Sequence, residues 1–300
     1  MSENKKDLSR SPKKIARADV KALLSDPKEK IALHTLVFDE TEKIYDVIKG
    51  MPVGTNDIAG TAKQYIAKYD EATKDLSVLL GYGVYFGTEA QDYLWTGIIN
   101  TLVEKPENAG SVFLIDLQLY PALLMTYVAG VVGIAVNNYD VINAVLDVGV
   151  YNYNIDQKMP LIMTANSTLL GTGANVLLEL DNRKTPLSDH FHDLIYENLP
   201  KELFFGKNFD DIFDHWEVLL AMKYADVNIT REASYKSWVP GGRYLWRERL
   251  TSQGTLSDMK DMASDDKWPA LKTGMFGGSL SRSIAAYDVV EEFAKQARWF

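Results

Sequence analysis

From Leu119 to Val136 the chain reads LYPALLMTYVAGVVGIAV, a run without a single charge. No other stretch restricts the fold as strongly. Such a run belongs either in the hydrocarbon of a bilayer, where a span takes about 20 apolar residues, or at the centre of a protein, where a helix apolar on every side is covered on every side. Pro121, Thr126, Gly130 and Gly133 interrupt it, and no cluster of Lys or Arg flanks it, whereas spanning helices are oriented by flanking cations. The expected home is therefore a protein interior, with the two glycines letting a neighbouring helix approach. Asn137-Asn138 ends the run, and Val141, Ile142, Val145 and Leu146 start a partner helix folded back on it as a hairpin.

The flanking sequence carries helical spacing of apolar residues. Ser25-Asp26-Pro27 is a helix start, a capping oxygen followed by proline in the first turn. Ile31, Leu33, Leu36, Val37, Ile44, Val47 and Ile48 follow, up to the stop at Gly50-Met51-Pro52. Further helices are expected over 56–80, with Gly81 and Gly83 loosening its end, and over 89–103, 187–198, 209–225, 232–250 and 279–298. The pattern weakens from Tyr151 to Arg183, where 175–180 reads as a short strand or a helix end. Residues 251–267 read as an exposed loop or short helix, and Trp299-Phe300 as a docked carboxyl terminus. The fold class is all-α: a layered multi-helix domain around a central buried apolar hairpin, with at most minor β structure. Residues 26–300 form one large helical domain, with a possible subdivision near 151–186, and residues 1–25 form a basic leader or linker.

Apolar residues at 46% and charged residues at 24% suffice for an ordinary core. The absence of cysteine excludes disulfides, thiolate metal sites and cysteine nucleophiles, and agrees with a cytoplasmic location. No secretory signal opens the chain. A net charge of −9 argues against a general nucleic-acid binder, which needs a basic face. Lys5, Lys6, Arg10, Lys13, Lys14 and Arg17 are the local exception, but no aromatic residue stands among them to stack on bases.

Two segments hold candidate chemistry. Asp189, His190, His192 and Asp193, with Asp210, Asp211, Asp214 and His215, gather imidazole and carboxylate in one acid-rich region. A metal-dependent hydrolase or nuclease would use Asp189, His192, Asp211 and His215. The spacing opposes it: ligand pairs on a helix stand three or four residues apart, which only Asp211 and His215 satisfy. The alternative is two helix starts whose acids face the amino-terminal dipole. The second segment is the run from Tyr235 to Arg249, where Arg243, Arg247 and Arg249 interleave with Tyr244 and Trp246. Arginine with aromatic rings suits an anionic or nucleotide-like ligand, or a protein interface; equally, these arginines can pair with the chain's surplus acids. Gly171-Thr-Gly173 lacks the rest of any phosphate-binding fingerprint, no serine sits in G-x-S-x-G, and no cofactor is expected.

Leu119-Tyr-Pro-Ala-Leu-Leu-Met-Thr-Tyr-Val-Ala-Gly with the following Asn-Asn-Tyr-Asp, Tyr69-Asp-Glu-Ala-Thr-Lys-Asp-Leu with Trp95, and Lys267-Trp-Pro-Ala-Leu-Lys-Thr-Gly-Met-Phe-Gly-Gly together resemble a helical module of bacterial defence-type proteins. In those proteins the module stands alongside sirtuin-like, Toll/interleukin-receptor-like or Schlafen-like effector domains. The resemblance covers the chain from about Asp26 onward and carries no catalytic residue. It implies a non-enzymatic sensing, scaffolding or oligomerisation unit with a protein partner or self-association. It also implies that 119–136 is buried in protein, against the alternative of a membrane-acting effector.

Overall fold

The computed structural model describes residues 17–105, 109–152, 156–232, 234–236, 238–247 and 254–297. Helix α1 (Arg17–Ser25) ends at Asp26, whose carboxylate accepts from Lys28 N–H at 2.9 Å as Pro27 begins a 3-10 turn. The segment read as a leader is thus helical from Arg17, because Val20 and Leu24 are buried in the core. Its basic residues Lys5 to Lys14 lie outside the described residues. Helix α2 (Lys30–Lys49) follows, then α3 (Ile58–Ala72) and α4 (Lys74–Phe86). The single helix expected over 56–80 is broken at Thr73, whose hydroxyl donates to the Tyr69 carbonyl at 2.7 Å, a back-bond that bends helices. Gly81 and Gly83 do not loosen its end. Both sit inside α4, where a Cβ on Gly83 would stand 2.3 Å from the Trp95 ring.

Helix α5 (Asp92–Leu102) carries Trp95, and α6 (Val112–Leu117) leads into α7 (Tyr120–Val136), the apolar run. Asn137 adopts a left-handed conformation (φ 57°), and the Asn138 side chain caps α8 (Tyr139–Leu146) at Val141 N–H. The two helices close as the hairpin the sequence predicts. Helix α7 packs against α4, α5 and α8, and 89% of an 18-residue apolar window within Val112–Val136 is buried. The segment is long and apolar enough to cross a bilayer, yet here protein covers it. Both glycines work as expected: a Cβ on Gly130 would stand 2.2 Å from the Trp216 ring, and one on Gly133 would stand 2.7 Å from Ile142.

A two-stranded antiparallel hairpin follows, β1 (Gly149–Asn152) with β2 (Gln157–Pro160), paired from Gly149 opposite Pro160 to Asn152 opposite Gln157. Helix α9 (Ala174–Leu177) settles the 175–180 ambiguity as a helix end. Next come α10 (Pro186–Asn198) and α11 (Phe209–Arg231), the longest described helix. The helix expected over 232–250 is not continuous: among the described residues, only Tyr244–Arg247 of that span is helical. The backbone extends at Glu232, and Pro240-Gly241-Gly242, poor helix formers, leads to α12, whose described residues are Tyr244–Arg247. Helix α13 (Thr255–Ala263) buries Leu256, Met259 and Ala263, so the segment read as loop or short helix is helical and inward-facing. Helices α14 (Pro269–Lys272) and α15 (Leu280–Ala297) end the described chain, and Trp299-Phe300 lies outside it. Arg282 of α15 grips Asp226 of α11 through two bonds of 2.8 and 2.7 Å, the bidentate geometry that fixes helix register.

Candidate functional site

The two candidate segments, remote in sequence, meet in space. Asp210, Asp214 and Glu217 stand at i, i+4 and i+7 on α11 and therefore form one stripe. Arg243 and Arg247, at i and i+4, form the matching pair on the incoming strap of residues 238–247. Arg247 Nη1 donates to Asp214 Oδ2 at 2.6 Å, and its Nη2 to Asp211 Oδ1 at 3.4 Å. Arg243 Nη2 donates to Asp210 Oδ1 at 3.2 Å, with Asp189 Oδ1 3.9 Å from its Nε. The backbone N–H of Arg243 donates to Glu217 Oε2 at 2.7 Å and to Ser188 Oγ at 3.0 Å. Gly242 allows this approach, since a Cβ there would meet the Glu217 carboxylate at 2.1 Å. Ser167 Oγ fixes the strap again by donating to Gly241 O at 2.7 Å.

Burial changes what these residues can do. Arg243 is buried and Tyr244 fully so, with Trp246 and Arg247 half-buried. The contact surface expected from the arginine-aromatic run is therefore turned inward at Arg243 and Tyr244. Trp246 donates to Thr185 Oγ1 at 3.2 Å, and Arg249 lies outside the described residues. The reading in which the arginines pair with the chain's own acids describes this geometry.

The four metal-ligand candidates do not converge. Asp189 is held by Thr185 and faces Arg243, while Asp211 bonds to Arg247 and Asn208. His192 Nε2 and Nδ1 lie 2.7 and 2.8 Å from Asp210 and Asp193. His215 Nδ1 donates to the Asp211 carbonyl at 2.7 Å, so these two share a face but bond through the backbone. Among the described residues no group of three or more such side chains is placed to hold a metal ion. The third histidine of the acid-rich region, His190, bonds to Asp70 of α3 at 2.9 Å, which also accepts from Tyr120 at 2.6 Å.

Sequence reading missed Glu217 and Ser188. Glu217 lay behind the acid-rich segment, and its signal was the i, i+4, i+7 spacing from Asp210. Its carboxyl is fully buried among neutral donors, Tyr127 among them at 3.3 Å, and burial pushes it up to about 8. Burial likewise pushes Asp214 up to about 7 against the pull of Arg247, and raises Asp189. Several buried polar atoms here have no hydrogen-bond partner among the described residues: Asp214 Oδ1, Trp216 Nε1, Arg243 Nε and Tyr244 OH. At its edge the network borders a groove of about 610 Å³ lined by His192, Tyr196, Lys201, Lys207, Phe209 and Asp210.

In comparisons with known proteins, no family model, curated protein or solved structure matches the chain.

Proposed function

We propose that this chain is a non-enzymatic recognition unit, sensing or scaffolding in kind, of a cytoplasmic bacterial defence or stress-response system. One observation carries the non-enzymatic part: the carboxylates and arginines at the site are committed to each other. Arg243 and Arg247 fasten the 238–247 strap to α10 and α11 through Asp189, Asp210, Asp211 and Asp214. General acid–base work needs a group within reach of substrate, whereas Asp214 and Glu217, the two carboxyls that burial pushes toward neutrality, are each 2% exposed. The defence setting is supported by the resemblance of the apolar hairpin and the Lys267-to-Gly278 stretch to helical modules that accompany effector domains.

The pair Asp214→Asn and Glu217→Gln separates this reading from catalysis, because both replacements keep shape and remove the proton-exchanging groups. A bacterial host carrying the chain with its native gene neighbours is challenged with phage, comparing this variant with wild type. Equal protection is the expected result. Lost protection from a variant that folds as stably as wild type would assign the pair a chemical role.

A further inference from the structure

The glycines inside helices fall into two kinds. Gly83 and Gly130 are required by their surroundings, since tryptophan rings occupy the space a Cβ would take. Gly97, in the middle of α5, has nothing among the described residues within 4 Å of a Cβ built on it. Glycine weakens a helix interior, and no packing among the described residues accounts for it here. Gly97 lies on the floor of a groove between α2 and α5, with Val37, Phe38 and Thr41 on one wall and Leu94 and Ile98 on the other. The wall positions recur at helical spacing over about two turns. The cavity measures about 150 Å³, enough for one benzene-sized group. Phe38 and Tyr93 stand on its rims 56% and 49% exposed, and Ile31, 81% exposed, extends the α2 stripe by two turns.

The rim is acidic. Glu42 lines the groove and Asp39, Glu89 and Asp92 stand on the same helices or at their start; none of the four forms an ion pair among the described residues. Burial, then repulsion from Asp140 and Glu89, pushes Asp92 up to about 6. The nearby cations are engaged, Lys43 with Glu40 and Lys30 over the Tyr93 ring at 6.0 Å. Two copies of this face would set carboxylates against carboxylates.

We infer that the α2–α5 groove docks a cationic amphipathic helix of a partner protein, which seats one large apolar side chain over Gly97 and sets its basic flanks against Glu42 and Asp92. Helix-in-groove recognition uses this combination of apolar floor and charged rim. The inference deepens the recognition reading and rests on it.

The probe is a fluorescein-labelled 14-residue peptide with Leu at i, i+3, i+4 and i+7 repeats and Lys elsewhere, read by anisotropy against the intact chain. Its counterpart has Glu for Lys. The Lys peptide should bind and the Glu peptide should not. Gly97→Leu should weaken binding at least tenfold while thermal unfolding stays at or above the wild-type temperature. Gly97→Ala, a milder filling, should fall between. Glu42→Gln with Asp92→Asn should weaken binding and flatten its salt dependence. Equal binding of both peptides, or binding untouched by Gly97→Leu, would overturn the inference. So would a wild-type dimer in sedimentation that Gly97→Leu dissolves, since the groove would then take a second copy. The peptide test failing while phage protection persists would discard the groove and keep the recognition reading.

Discussion

Helix α11 is buried on two faces by opposite means. Toward α7 it presents Trp216 across the gap left by Gly130, a contact of ring on backbone in an apolar interior. Toward the strap it presents Asp210, Asp214 and Glu217, held by two arginines and a backbone N–H. The first face gains from dispersion and from removing apolar surface from water, terms that do not depend on pH. The second gathers five carboxylates, with Asp189 and Asp211, against two guanidinium groups, so charge burial is incompletely offset. Buried ion pairs add little net stability, and the best-attested use of such polar groups is to specify one arrangement. The apolar face holds the fold together, and the polar face determines where the strap lies.

Substitutions separate the two faces. Gly130→Val forces branched bulk into the Trp216 ring and should cost at least about 3 kcal/mol in urea unfolding, equally at pH 6 and pH 8. A cost under about 1 kcal/mol would mean that the α7 interface is loosely packed. Arg247→Met strands Asp214 and should cost about 3 kcal/mol at pH 8. At pH 5 the cost should shrink, because the Asp214 carboxyl, up at about 7, takes a proton. Equal losses at both pH values would place the Asp214–Arg247 pair in solvent. Tyr244→Phe removes a buried hydroxyl without a partner among the described residues and should raise stability by about 1 kcal/mol in thermal melts. A loss would reveal a bond from that hydroxyl that the fold depends on.

The apolar face was legible because its instruction is local. An uncharged run admits few environments, and Gly130 and Gly133 announce close helix contacts before any partner is known. The polar face was legible only in halves. The acid-rich segment and the arginine run each read as a possible site, while their mutual pairing spans 33 residues between Asp214 and Arg247 and leaves no local trace. The strap itself read as helix because its aromatic and charged spacing is helical; Pro240-Gly241-Gly242 and the bonds from Glu217 and Ser188 override that spacing. The break at Thr73 was hidden for a related reason, since Tyr69 and Leu76 keep their stripe across it. The α2–α5 groove needed the fold, because Gly97 looks like any helical glycine until its surroundings are known.

The central claim is that the α11 carboxylates Asp214 and Glu217 serve the fold, buried and raised toward neutral pH. Glu217 at about 8 and Asp214 at about 7 lie above their ordinary 4.5 and 3.8. Their contribution to stability is therefore fully present below about pH 4 and is lost as pH rises through 7 to 8. Unfolding free energy measured from pH 5 to pH 9 for wild type and for the Asp214→Asn, Glu217→Gln double variant tests this directly. The variant should gain on wild type by about 3 kcal/mol or more across that range. Parallel profiles would contradict the claim, placing both carboxylates, ionised, in contact with solvent.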